Sequence, residues 1–156
     1  MEALNDIIFY HIDKAIRLYK QYAHQQLTAN GFDLTVDQWL VLKALDQNPE
    51  SNQQEIAEMT FKDYASLTRI IELLVQKKYL ERDLHAEDRR RFKLTLTPHA
   101  YQVLKQMQPV IENNRAVALK GLSKKSISEM QATLNVMIRN CSRTGKTALA
   151  KQGTIK

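Results

Sequence analysis

The sequence predicts a mainly helical chain carrying one small β-hairpin, and three observations lead there. Glycine and proline are scarce, four and three among 156 residues, too few for the turns of a β-sandwich, a barrel or a glycine-rich nucleotide-binding enzyme. Apolar residues recur at three- and four-residue steps through most of the chain, the period of helices buried on one face. Between residues 92 and 96 the pattern changes to strict alternation, as a half-buried strand requires. At 44% hydrophobic and 26% charged residues, the chain is ordinary for one globular domain with a closed core.

Each element can be justified in order. Leu4, Ile7, Ile8, Ile12, Ala15, Ile16 and Tyr19 form the apolar stripe of a helix over about 3–27, ended by the turn pair Asn30-Gly31. Thr35 caps a second helix bearing Trp39, Leu40, Leu42 and Leu45, which Asn48-Pro49 stops. Asn52 and Glu55 have capping-box spacing and open a short helix with Ile56, Ala57 and Met59. Asp63 caps a longer helix whose inward face is Leu67, Ile70, Ile71 and Leu74. Phe92, Leu94 and Leu96 alternate with Lys93 and Thr95, and Leu80–Leu84 is expected to pair with them across a charged tip, HAEDRRR. Thr97-Pro98 serves as N-cap and first residue of a helix to about Leu119, with a kink expected at Pro109. Gly121 is a C-cap, and Ser123 starts a last helix with Ile127, Met130, Leu134, Met137 and Ile138. Periodicity stops at Arg143, and a frayed basic tail is expected over 143–156.

Composition excludes several functions. The longest apolar runs are three or four residues, so no membrane span and no membrane partner are expected. The N-terminal stretch lacks a signal-peptide pattern, and one cysteine, Cys141, excludes an internal disulfide, so a cytoplasmic location is expected. Cys141 is expected to be buried or at an interface. His11, His24, His85 and His99 share no ligand spacing, so neither a metal nor any other cofactor is expected. No Ser/His/Asp arrangement, phosphate-cradling loop or catalytic carboxylate pair can be assembled, which points to a non-enzyme. The net charge of +6 mostly reports the tail: without Arg143, Lys146, Lys151 and Lys156, 19 basic residues face 17 acidic ones. Any nucleic-acid argument must therefore rest on local clusters.

Two such clusters exist. The order α-α-α-α-β-β-α-α, with a short helix, a tight turn, a longer helix and a hairpin at its centre, is that of a winged helix-turn-helix. On helix 63–78 the outward set is Tyr64, Ala65, Ser66, Thr68, Arg69 and Glu72. Small and hydroxylic residues with one arginine suit entry into a major groove, although a plain solvated face would have a similar composition. At the hairpin tip, Arg89, Arg90 and Arg91 are consecutive and Lys93 follows. Guanidinium groups there suit a minor groove, with Asp88 able to hold one of them extended.

The stretch from Asn52 to Ala100 resembles the DNA-binding lobe of the MarR family of bacterial transcriptional regulators. The matching features are Ile56-Ala57, Ser66-Leu67-Thr68-Arg69, Leu80-Glu81-Arg82, and Asp88-Arg89-Arg90 followed by Leu94-Thr95-Leu96-Thr97. The resemblance covers nearly the whole chain except the tail. It implies one domain over 1–142, with dimerisation helices at about 3–27 and 98–142 and a winged lobe at about 34–97. It also implies a homodimer on a roughly palindromic double-stranded operator, acting as a repressor that a small aromatic or phenolic effector relieves. Lys62, Tyr64, Ala65, Ser66, Thr68, Arg69, Asp88, Arg89, Arg90, Arg91 and Lys93 are then the DNA-binding candidates. Phe9, Tyr10, Tyr19, Tyr22 and Trp39 are candidates for an effector pocket, although the same residues equally suit core and interface packing.

Two positions depart from the family pattern. Tyr79 stands where glycine usually makes the turn into the wing, and Ala100 where glycine often follows the Leu-Thr pair. The competing reading of the whole chain is a winged-helix module that docks on a protein and has no sequence-specific DNA binding.

Overall fold

A computed structural model describes residues 1–84 and 92–142. After a single 3-10 turn, Leu4–Asp6, the elements are α1 (Ile8–Ala29), α2 (Val36–Gln47), α3 (Gln53–Thr60), α4 (Tyr64–Gln76), β1 (Leu80–Leu84), β2 (Phe92–Leu96), α5 (Pro98–Ala118) and α6 (Lys124–Cys141). They fall into two compact units, the first holding α1 to α5 and the hairpin and the second holding α6. Mostly helical with a two-stranded antiparallel hairpin, this is the architecture of a winged helix-turn-helix.

The helix starts are built locally. Thr35 Oγ1 accepts the Gln38 N–H at 3.1 Å while the Gln38 side chain takes the Thr35 N–H at 3.0 Å, a reciprocal capping box. Asn52 and Glu55 repeat it at 2.9 and 2.8 Å. Asp63 caps α4 through the Ser66 N–H at 2.8 Å, and Ser123 caps α6 through the Ser126 N–H at 3.0 Å. The first helix differs from its expected span: the backbone is extended at Ile7, so α1 begins only at Ile8. Ile7 has no side chain that can cap, and the apolar period runs through the break without marking it. The His11 ring nitrogen donates to the Asn5 carbonyl at 2.7 Å and ties the preceding turn to the helix. Helix α5 runs on through Pro109.

In the first unit the core gathers Val41, Leu42 and Leu45 of α2, Ile56 of α3, and Leu67, Ile71 and Leu74 of α4. Leu80, Leu94 and Leu96 of the hairpin join it, with Met107 and Ile111 of α5. The strands pair from Leu80 opposite Leu96 to Leu84 opposite Phe92. Phe92 was expected inward with Leu94 and Leu96, yet it is exposed, with the Arg82 guanidinium 5.5 Å from its ring centre. The hairpin extends beyond the edge of the core there, so alternation continues after burial has ended.

The turn into the wing also differs from expectation. The left-handed residue is Lys78, at φ 62°, one position before Tyr79. The Tyr79 N–H reaches the Leu74 carbonyl at 2.9 Å and the Lys78 N–H that of Val75 at 3.0 Å, a Schellman closure with lysine in the place glycine favours. Tyr79 is freed to be buried, its ring stacked on His99 at 5.0 Å. Thr97 fixes the junction: its hydroxyl donates to the Lys78 carbonyl at 2.7 Å and accepts the Ala100 N–H at 3.1 Å.

Helix α6, taken by itself, has no buried residue, and Cys141 at its end is exposed rather than buried. Because a side chain in the left-handed region costs about 1–2 kcal/mol, Lys78→Gly is expected to stabilise the chain by about 1 kcal/mol in urea denaturation. An unchanged or lower midpoint would show that the lysine side chain compensates the strain.

Candidate nucleic-acid interface

Helix α4 is amphipathic, and its two faces have separate tasks. Leu67, Ile71 and Leu74 are fully buried and Ile70 packs against them, which fixes the helix by one side. Tyr64, Ala65 and Arg69 lie on the exposed side, and Arg69 makes no hydrogen bond or ion pair among the described residues. Asp63 holds the helix start: its carboxylate accepts the Ser66 N–H and, at 2.7 Å, the Ser66 hydroxyl. Those two bonds hold the Asp63 carboxyl below the usual carboxylate range.

The other candidates are engaged within the protein. Ser66 is half-buried with its hydroxyl on Asp63. Thr68, also half-buried, donates to the Tyr64 carbonyl at 2.8 Å and accepts from the Gln53 side chain at 2.6 Å, which links α4 to the start of α3. Lys62 is paired with Asp37 of α2 at 2.8 Å, and Asp37 also holds Lys20 of α1 at 2.9 Å. Burial would raise the Asp37 carboxyl, but the hydrogen bonds and charges of Lys62 and Lys20 outweigh it and hold it below its ordinary value. Lys93 on β2 reaches Glu50 at 3.2 Å and remains partly exposed. Asp88, Arg89, Arg90 and Arg91 lie outside the described residues.

The aromatic candidates divide. Tyr19 and Trp39 come together with Ala23, Leu27, Val36, Ile111 and Asn114 around a cavity of about 20 Å³, room for one water molecule. Phe9 is exposed, Tyr10 packs edge-on to His11, and Tyr22 is half-buried; none of the three lines this cavity. Asn114 was not anticipated. It is fully buried, and among the described residues both polar atoms of its amide lack a hydrogen-bond partner, as does Trp39 Nε1. The signal was present, since Asn114 continues the helical spacing of Met107 and Ile111 and is the polar residue on an otherwise apolar stripe. The Arg115 guanidinium lies over the indole, 5.6 Å from the Trp39 ring centre.

With this geometry in place, the comparisons with known proteins are specific. Residues 32–91, from the loop before α2 to the hairpin tip, match the model of the MarR family. The winged-helix segment of this chain is similar to the MarR family. Solved structures extend the likeness of fold beyond the segment. A cysteine-to-serine mutant of MarR from E. coli, complexed with operator DNA, superposes with a TM-score of 0.79 at 21% identity, covering 88% of this chain and 99% of that one. MepR from S. aureus in complex with DNA gives 0.76 at 23% identity, covering 86% and 98%. BpsR from Bordetella bronchiseptica, whose DNA binding is regulated by 6-hydroxynicotinic acid, gives 0.80 at 23% identity, covering 88% and 96%. The MarR-type fold therefore takes in α1 and α5 as well as the winged lobe. Among the described residues no helix is long and apolar enough to cross a membrane.

Two outcomes follow. Replacing a buried polar group that lacks partners by an apolar one of similar size is neutral or stabilising, so Asn114→Leu is expected to hold or raise the melting temperature. A clear fall would mean that the amide is satisfied by a bound molecule in solution. Asp37 has its folded pKa depressed below 3.8, so its contribution is present above that value and disappears as pH falls through the lower, folded one. The stability gap between wild type and Asp37→Asn, followed by urea denaturation, should be widest near neutral pH and close in acid.

Proposed function

We propose that this chain is a dimeric, sequence-specific DNA-binding transcriptional regulator, without enzymatic activity, that represses from a roughly palindromic operator in the cytoplasm and is relieved by a small molecule. The observation that carries it is the exposed start of α4. A helix fixed by one apolar face presents Tyr64, Ala65 and Arg69, unpaired among the described residues, on the other, inside a segment that matches the MarR family model. Small residues allow close approach to a major groove, and an arginine with no protein partner can pair bidentately with guanine. The arginines at 89–91 belong to this reading as minor-groove contacts, on the strength of their sequence alone.

Dimerisation is supported by apolar surface that the protomer leaves bare. On α1, Ile8, Phe9, Ile16 and Leu18 are exposed, and only Ala23 and Leu27 are buried. On α6, Met130, Val136 and Ile138 are exposed. Burying one such side chain stabilises by about 1.5–3 kcal/mol, and an exposed apolar stripe on each of these helices is what an interface would cover. The effector reading rests on the cavity beside Tyr19 and Trp39. Two aromatic side chains and the Asn114 amide, unpaired among the described residues, suit a small aromatic or phenolic molecule with a polar edge, and the cavity must widen to admit it.

Footprinting on duplexes selected from a random pool is expected to return an inverted repeat with half-sites about 34–36 Å apart. Arg69→Ala should weaken the best site by about 1–3 kcal/mol and relax one position per half-site. Equal loss on every single-base variant would make Arg69 a phosphate contact, and absence of any protected repeat would favour the protein-docking module. Titrating phenolic acids into the footprint tests relief of binding. Sedimentation is expected to show a dimer at micromolar concentration, and a folded monomer there would overturn the dimer.

A further inference from the structure

The α3–α4 turn is tied to the rest of the lobe at one charged point. Phe61 closes α3 in the left-handed region at φ 57°, and the Lys62 N–H returns to the Ala57 carbonyl at 3.0 Å. Asp63 then caps α4. With the backbone held on both sides, the Lys62 side chain leaves the turn and reaches α2, where its ammonium meets Asp37 Oδ2 at 2.8 Å. Asp37 lies in the first turn of α2, where an acid is favoured by the helix dipole. Its other oxygen, Oδ1, accepts from Lys20 of α1 at 2.9 Å. One carboxylate thus joins three elements: the helix bearing the bare apolar stripe, the helix behind the lobe, and the residue just before the recognition-helix cap. All three side chains are partly withdrawn from water, Lys62 most at 23% exposed, so salt screens them less than a surface pair.

We propose that Asp37 is a positioning residue for DNA recognition, holding the start of α4 to α1 through Lys20 and Lys62 and keeping the Lys62 ammonium out of the phosphate contacts. This rests on the DNA-binding reading above. If α1 belongs to the dimer interface, the bridge lies on a short route between that interface and α4, and it limits how far the two recognition helices of a dimer can shift apart. A lysine occupied by a carboxylate releases no DNA counterion, whereas the same lysine set free at the turn can.

Two readouts that a merely stabilising role would not move test this: the slope of log binding constant against log salt, and discrimination against operators whose half-site spacing is changed by one base pair. Asp37→Asn keeps the side-chain shape and removes the charge. It is expected to steepen the slope by about 1 per half-site and to reduce discrimination between spacings. Adding Lys62→Met to that variant should return the slope to the wild-type value. Lys20→Met, which breaks the bridge on the α1 side and touches no DNA candidate, should reduce spacing discrimination without steepening the slope. A slope that is unchanged or flatter in Asp37→Asn, or spacing discrimination equal to wild type in both Asp37→Asn and Lys20→Met, overturns the proposal while wild-type binding leaves the DNA reading intact. Should Asp37→Asn fail to fold by circular dichroism, Lys20→Met decides alone through spacing discrimination. A wild type that binds no inverted repeat removes both readings together.

Discussion

The lobe is organised by one constraint: α4 must be held firmly while half of its surface stays uncovered. Burying Leu67, Ile71 and Leu74 answers the first requirement. That burial needs partners on three sides, and α2, α3 and the hairpin supply them within one shared cluster. A helix of thirteen residues has too few turns to be stable in water alone, so packing rather than intrinsic propensity fixes it. The short length of α3 and the small size of the hairpin follow from the same geometry, since each has only to cover one edge of α4.

The turns that flank α4, one into the wing and one out of α3, are both unusual in composition. The C-terminal end turns through Lys78, and the preceding helix ends on Phe61, each at positive φ. Neither side chain is favoured there. What offsets the strain at the wing is visible: Thr97 binds the Lys78 carbonyl and caps α5 at once, and Tyr79 is carried into the core against His99. At Phe61 the backbone bonds to Ala57 and Glu58 close the turn, while the ring remains 86% exposed, so packing does not repay that strain.

Polar groups near the exposed side of α4 form a graded set. Arg69 has no partner among the described residues, Ser66 and Thr68 are satisfied by short local bonds, and Lys62 is bound to a carboxylate from another helix. A satisfied hydroxyl must exchange one bond for another to read a base, whereas the guanidinium of Arg69 gives up only water. The opposite situation occurs beside the Trp39 cavity, where the buried Asn114 amide has no hydrogen-bond partner among the described residues. Those two sites, one open and unpaired, one closed and unsatisfied, carry the functional reading.

The sequence by itself determined the order of elements and the starts of α2, α3, α4 and α6. Thr35 with Gln38, Asn52 with Glu55, Asp63 with Ser66 and Ser123 with Ser126 all act within three residues, and a contact that short is written in the local string. The inward face of α4 was legible for the same reason, because 3.6-residue periodicity needs no knowledge of the partner. The break at Ile7, the exposure of Phe92 and the left-handed Lys78 were not legible. Each depends on where the core ends or on which carbonyl a distant hydroxyl reaches. Tertiary structure also decided which candidate side chains are free. Lys62 meets Asp37 across 25 positions, Lys93 meets Glu50 across 43, and Thr68 meets Gln53 across 15. Pairings at those separations are set by how helices pack, and residue spacing along the chain carries no record of them.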